Sequence, residues 1–328
     1  MFYLEREEDS MKVPNNPIIS TLPMTTHRPE TKQHLSFDVR DAAGRLIAAK
    51  GACFEPALLR EVAQKGRPVQ SKMRSLAHTG ILKKAAEVMQ EPIYRVVFSD
   101  SKVRKKILAV MAQVKIQTGL YDEIMRLRRL SYFTYRHFIL VSVLSTKMAL
   151  DLKEYQYDPK IACRLALTHD IGKVWLPMEV LNKKEALTSH EYHIIHSYSI
   201  LSVLLLAYYL GEKRKEAVSV AYGHHEKLDG SGYPKGIKVL SKYTKIVAVI
   251  DVFDALVADR PYRKRPFTIR GALDKLILEM HAGQLPKPPV KLLVSYFRKG
   301  QPDYRPLKLS LKARDKDPEG NNYGVIRD

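Results

Sequence analysis

The chain is 328 residues long, 45% hydrophobic and 27% charged, with 55 Lys and Arg against 35 Asp and Glu for a formal net charge of +20. That length allows two domains, one with a sizeable core, in a composition ordinary for a soluble globular protein. Two distant cysteines, Cys53 and Cys163, exclude a cysteine metal or redox motif and fit a reduced, cytoplasmic setting.

In chain order, the start "MFYLEREEDSMKVPNN" is acidic and lacks the apolar stretch of a signal peptide. Residues 1–34 read as a polar, loosely ordered arm. "LSFDVR" and "RLIAAKG" flank an Asp-Ala-Ala-Gly turn and predict a hairpin. "EPALLREVAQKG", with Pro at its start and Gly at its end, predicts a short helix. Residues 1–80 thus form a small mixed α/β unit that could regulate the remainder or bind a partner, and 81–128 a helical linker. Over 129–300 nearly every segment has helical period: 137–152, 159–174, 189–210, 213–228 and 242–260. "KIVAVIDVF" is β-branched enough to suggest a strand, but its continuation into "DALVADR" favours a buried helix. The longest apolar run, 200–211, is too short for a bilayer and reads as a buried helix, so no membrane span is expected. Residues 301–328 are a basic tail. The fold class is mainly α: a helical bundle with a small mixed N-terminal unit.

The excess of cations favours anionic partners or is spread for solubility. Neither 260–270 nor the basic C-terminal segment interleaves aromatics regularly enough to predict a nucleic-acid groove.

Chemistry-bearing residues recur on the predicted buried helices: His137; His169, Asp170 and Lys173 in "THDIGK"; His196; the pair His224 and His225; and Asp251. Apolar helix faces seldom carry such groups unless they are paired or bound to metal. Five histidines and two aspartates on five helices therefore point to one polar centre. The mixed imidazole and carboxylate set suits iron, manganese or zinc. His190 and His193 complete a regular row with His196, but beside Ser189 and Glu191 they read as an exposed helix start. Asp254, one helical turn after Asp251, either orients a ligand or is a surface or capping carboxylate.

Taken together, "FTYRH" (133–137), "THDIGKVWLP" (168–177), "LTSHEYHIIHSYSIL" (187–201), "HHEKLDGSGYP" (224–234) and "IDVFDALVADRPYR" (250–263) resemble the successive signatures of HD-GYP domains, a branch of the HD phosphohydrolase superfamily. The resemblance implies a helical domain with two divalent metal ions, iron or manganese, that hydrolyses cyclic di-GMP. It implies His137, His169, Asp170, His196, His224, His225 and Asp251 as metal ligands, with Asp170 bridging. Lys173 would face the reacting phosphate, and Arg260 and Arg263 would contact the substrate's phosphates. Gly232, Tyr233 and Pro234 would form a loop at the mouth of the site. A hydroxide bridging the metals would attack phosphorus, giving pGpG or GMP. Phe133 stands where members with three metals have an acid, which favours two. Phe138 and Trp175 replace smaller residues common at their positions. A weakly active or inactive cyclic-dinucleotide sensor or scaffold is the alternative, with another cyclic dinucleotide as substrate, a protein partner at the glycine-rich loop and a homodimer left open.

Overall fold

The computed structural model describes residues 33–259 and 265–311, with Asp315 and Pro318. The arm expected over 1–34 falls almost wholly outside the described residues, as do Arg260, Arg263 and most of the basic tail.

The expected hairpin is present. β1 (Val39–Arg40) and β2 (Leu46–Ala48) pair antiparallel. The Asp41 carboxylate closes their turn by accepting the backbone N–H groups of Ala43 and Arg45, each at 2.9 Å. α1 (Pro56–Lys65) follows as expected, then the single turn α2 (Arg67–Gln70). A second ribbon pairs β3 (Met73–Ser75) with β4 (Lys115–Gln117), enclosing α3 (Gly80–Val88) and α4 (Ser101–Ala112). Strands of three residues are too short to show alternation, so this pairing had no sequence signature.

The helical domain comprises α5 (Thr118–Leu130), α6 (Tyr132–Asp151), α7 (Pro159–Thr168), α8 (Met178–Leu181), α9 (Ser189–His196) and α10 (Tyr198–Leu210), continued by α11 (Lys215–Gly223), α12 (Lys242–Val257), α13 (Ile269–His281) and α14 (Lys287–Tyr296). From Thr134 to Ala149 every residue of α6 except Arg136 is buried, so this helix is the axis of the bundle, with α3, α5, α7 and α12 around it. α12 is a helix despite its β-branched run. Ser241 caps its first turn through the Thr244 N–H, and it is buried on nearly every side.

The stretch expected as one helix over 189–210 is two, α9 and α10, meeting at Ser197. Together they are long and apolar enough to span a membrane by length and composition, but 67% of the most apolar window is buried inside this fold. The N-terminal unit lies directly on α10. A Cβ added to Gly66 would sit 1.8 Å from the Tyr208 carbonyl oxygen, so α1 can approach that closely only with glycine there. Across the same contact Tyr208 Oη donates to Asp41 at 3.1 Å, while Tyr209 Oη donates to Glu123 of α5 at 3.0 Å.

Candidate metal centre

Helix ends and helix interiors converge here. His137 lies one turn and a half into α6, and Asp251 in the middle of α12. His169 and Asp170 follow the last residue of α7, and His224 and His225 that of α11. Asp158 accepts the N–H groups of Lys160 and Ile161 and fixes the start of α7, so its C-terminal end delivers His169 and Asp170 to the bundle interior. The next turn, 171–175, packs on α10. A Cβ on Gly172 would meet Tyr198 O at 2.2 Å and Ser202 N at 2.4 Å.

One atom each from His137, His169, Asp170 and Asp251 lie within 4.8 Å of one another, and so do atoms of Asp170, His224 and His225. Asp170 belongs to both groups. His137, His169, Asp170 and His224 are essentially inaccessible, and Asp251 is 6% exposed.

The hydrogen bonds around the rings set their tautomers. His169 Nδ1 donates to Ala166 O at 2.7 Å, His224 Nδ1 to Val220 O at 2.9 Å, and His137 Nδ1 to Asp254 Oδ2 at 2.6 Å. Each Nε2 therefore points a lone pair inward. These three Nε2 atoms and Asp170 Oδ1 are buried without a hydrogen-bond partner among the described residues. Two of the contacts oppose acceptors: His137 Nε2 lies 3.0 Å from Asp251 Oδ1, and His224 Nε2 lies 3.1 Å from Asp170 Oδ1. Lone pairs facing at such distances need a cation or a proton between them. Imidazole and carboxylate donors, orphaned, buried and held from behind by hydrogen bonds, fit divalent transition metals.

The electrostatics of the cluster agree. Burial opposes charge on His169, but Asp170 and Asp251 outweigh it and lift the ring's pKa to about 10. Burial likewise works against ionised Asp170 and Asp251. His169 and Lys173 for the first, and His137 and His169 for the second, hold them well below the ordinary carboxylate range. Lys173 Nζ bonds Asp170 Oδ2 and lies 4.6 Å from the centroid of the Tyr198 ring.

The glycine-rich loop folds back over His225. Gly230 has φ +86°, whereas Gly232 is required by crowding: a Cβ there would lie 2.4 Å from Lys227 N and 2.5 Å from His225 O. Buried Glu226 ties the loop down by accepting the N–H groups of Lys235 at 2.7 Å and Ile237 at 3.0 Å. Tyr233, followed by a cis peptide bond to Pro234, stacks on His225 with ring centroids 4.7 Å apart and planes inclined by 13°. Tyr198 Oη bonds His225 Nε2.

His196 stands apart from both groups. Its ring lies 4.0 Å from that of Tyr192 and 4.3 Å from that of Tyr233, and burial, with His193 nearby, pushes its pKa down to about 4. His190 and His193 are exposed, as expected. Phe138 packs 5.5 Å from the His169 ring, and Trp175 lies under the Arg126 guanidinium of α5 at 4.3 Å. Asp254 is neither a surface nor a capping residue: it is inaccessible and holds His137. Tyr94, Arg136, Glu226 and Tyr198 were missed in the sequence. Of these, Arg136, Tyr198 and Glu226 lie inside the quoted motifs "FTYRH", "LTSHEYHIIHSYSIL" and "HHEKLDGSGYP", whereas Tyr94 carried no local signal.

Residues 125–284 match the family model of the HD domain. This stretch is an HD domain. The match begins within α5, a few residues before the start expected at 129, and agrees with the resemblance to HD-GYP domains. Among curated relatives, 135 residues are 37% identical to the 3'3'-cGAMP-specific phosphodiesterase 1 of Vibrio cholerae, covering 40% of this chain and 31% of that one. The cyclic di-GMP phosphodiesterase PA4108 of Pseudomonas aeruginosa is 34% identical over 145 residues, 43% of this chain and 34% of that one. The cyclic di-GMP phosphodiesterase of Thermotoga maritima is 32% identical over 193 residues, 58% and 50% respectively. The chain thus spans between 31% and 50% of the length of these relatives.

Proposed function

We propose that this HD domain is a metal-dependent phosphodiesterase that hydrolyses cyclic di-GMP to pGpG or GMP in the cytoplasm, with two divalent ions, iron or manganese. The observation that carries the reading is the set of four orphaned buried acceptors, three imidazole nitrogens and a carboxylate oxygen, converging beside a lysine. His137, His169, Asp170 and Asp251 would hold one ion, and Asp170, His224 and His225 the other, with His196 joining once the Tyr233 ring swings aside. Bound there, divalent ions supply Lewis acidity to the phosphodiester and lower the pKa of water toward ~7.

The chain's own groups do the rest. Lys173, anchored on Asp170, presents a cation to the non-bridging phosphate oxygens as charge builds on them. Arg260 and Arg263 hold the substrate's phosphates. The Gly232–Tyr233–Pro234 loop forms the rim and offers an aromatic face to a guanine base. Burial of the cluster keeps the local dielectric low, so each of these charges acts more strongly than it would in water.

The test is metal content of anaerobically purified protein, with cyclic di-GMP turnover followed on the same sample beside Asp170→Ala. Two ions per chain, and turnover lost in the variant, are expected. Metal without turnover would favour a cyclic-dinucleotide sensor, and a metal-free protein under reducing conditions would overturn the reading.

A further inference from the structure

We infer that Tyr94 and Arg136 are positioning residues, which hold Asp254 so that it sets the His137 ring for a divalent cation. The inference rests on the metal-site reading above, and it concerns residues that neither the motifs nor the relatives' names assign.

Asp254 is inaccessible, and both its oxygens are engaged. Oδ1 accepts the Tyr94 hydroxyl at 2.6 Å and Arg136 Nη1 at 3.1 Å, while Oδ2 accepts His137 Nδ1 at 2.6 Å. Arg136 is itself fixed from the other side by Glu91, whose carboxylate receives its Nε at 3.0 and 3.1 Å.

The arrangement decides what His137 can do. With Oδ1 committed to two donors, Oδ2 is left to accept the proton on Nδ1. That leaves Nε2 as a lone pair directed at the orphaned acceptors. A carboxylate behind a ligating imidazole fixes ring orientation and raises the ligand's basicity. Arg136 can take part because it neighbours His137 on α6 and is the one residue between Thr134 and Ala149 not fully buried. Tyr94 comes from the stretch between α3 and α4, in the segment expected as a mere linker. Its ring is also inaccessible and meets Phe253 of α12 edge-on at 6.5 Å. The 81–128 segment therefore reaches the centre itself.

Neutralising a buried carboxylate would need the same contacts, so the test must separate positioning from structural support. Full-length wild type, Tyr94→Phe, Arg136→Gln and Arg136→Lys would be titrated anaerobically with Mn²⁺ alone, with binding read by calorimetry. The site is assigned from the paramagnetic broadening of each histidine's ¹⁵N signals. We expect Tyr94→Phe and Arg136→Gln to weaken the ion beside His137 by about 10–100-fold. The ion at Asp170, His224 and His225 should change by less than about 3-fold, and Arg136→Lys should recover most of the loss. In the metal-free proteins, His137 should be a single Nδ1–H tautomer in wild type and a mixture in Tyr94→Phe.

Unchanged affinity at both sites in a folded variant, or equal loss at both, overturns the inference. If Tyr94→Phe does not fold, Arg136→Gln decides alone. If wild type binds no Mn²⁺, the metal-site reading fails, and the tautomer measurement still decides the role of Tyr94: an unchanged tautomer overturns it.

Discussion

Replacing Glu123 by Gln should stabilise the protein above neutral pH and leave it unchanged in acid. Glu123 is fully buried in α5, with Oε1 accepting from Tyr209 at 3.0 Å, Oε2 without a hydrogen-bond partner among the described residues, and Arg126 3.9 Å away. Burial pushes its pKa up to about 7, against the opposing pull of Tyr209 and Arg126. The unfolded chain has a Glu pKa of ~4.3, so the fold favours the protonated form. The stability this contributes is complete below ~4.3, falls as pH rises, and is gone above the folded value of about 7. A difference of about 2.7 units at 1.36 kcal/mol each sets the full effect at about 3–4 kcal/mol. Between pH 5.5 and pH 8 the same linkage gives a change of about 2 kcal/mol.

Gln keeps an oxygen for the Tyr209 hydroxyl and has no charge to bury, so its stability should lack this slope. Urea unfolding of both proteins at pH 5.5, 6.5, 7.5 and 8, with chelator throughout so that metal linkage does not enter, measures the difference. The gap should widen by about 2 kcal/mol in favour of the variant as pH rises. Parallel profiles, or a gap that narrows with pH, would refute the argument from burial.

Two further outcomes follow from contacts at the site. Gly172→Ala forces a Cβ within 2.2 Å of the Tyr198 carbonyl and 2.4 Å of Ser202 N, both backbone atoms that cannot yield cheaply. It should cost about 3 kcal/mol and lower Tm by roughly 5–10 °C, read by calorimetry. Glu226→Ala strips the acceptor from the Lys235 and Ile237 amides. Those two amides should exchange with solvent about 10–100-fold faster while Tm moves by only a few degrees, since the loop opens locally.

The helical domain was legible because buried helices announce themselves by period, and α12 could be separated from a strand by its length alone. The core of the site was legible for a related reason. Histidine and aspartate on apolar faces are costly without partners, so His137, His169, Asp170, His224, His225 and Asp251 pointed to one another before any fold was known. The β3–β4 ribbon gave no signal, being three residues per strand and joined across about 40 positions. The 81–128 segment was expected to do no more than connect, because Glu91 and Tyr94 are unremarkable until α12 packs beside them.

His196 marks the boundary between the two kinds of information. Its place in a familiar motif implies a ligand, but the rings of Tyr192 and Tyr233, contributed by α9 and by the loop after α11, decide what it touches. Gly232 is similar: its motif places it in a loop at the mouth of the site, and the fold shows a close approach of chain to chain that leaves no room for a Cβ.

The sequence by itself determined which chemical groups lie on which helices and where the chain must turn, since periodicity, capping and glycine act over a few residues. Only the tertiary structure decided which nitrogen of each histidine faces the centre and what holds its other side. Those choices are made by carbonyls one turn back and by Asp254, which is 117 residues from His137 and 160 from Tyr94. Contacts at such separations exist only once the helices have packed.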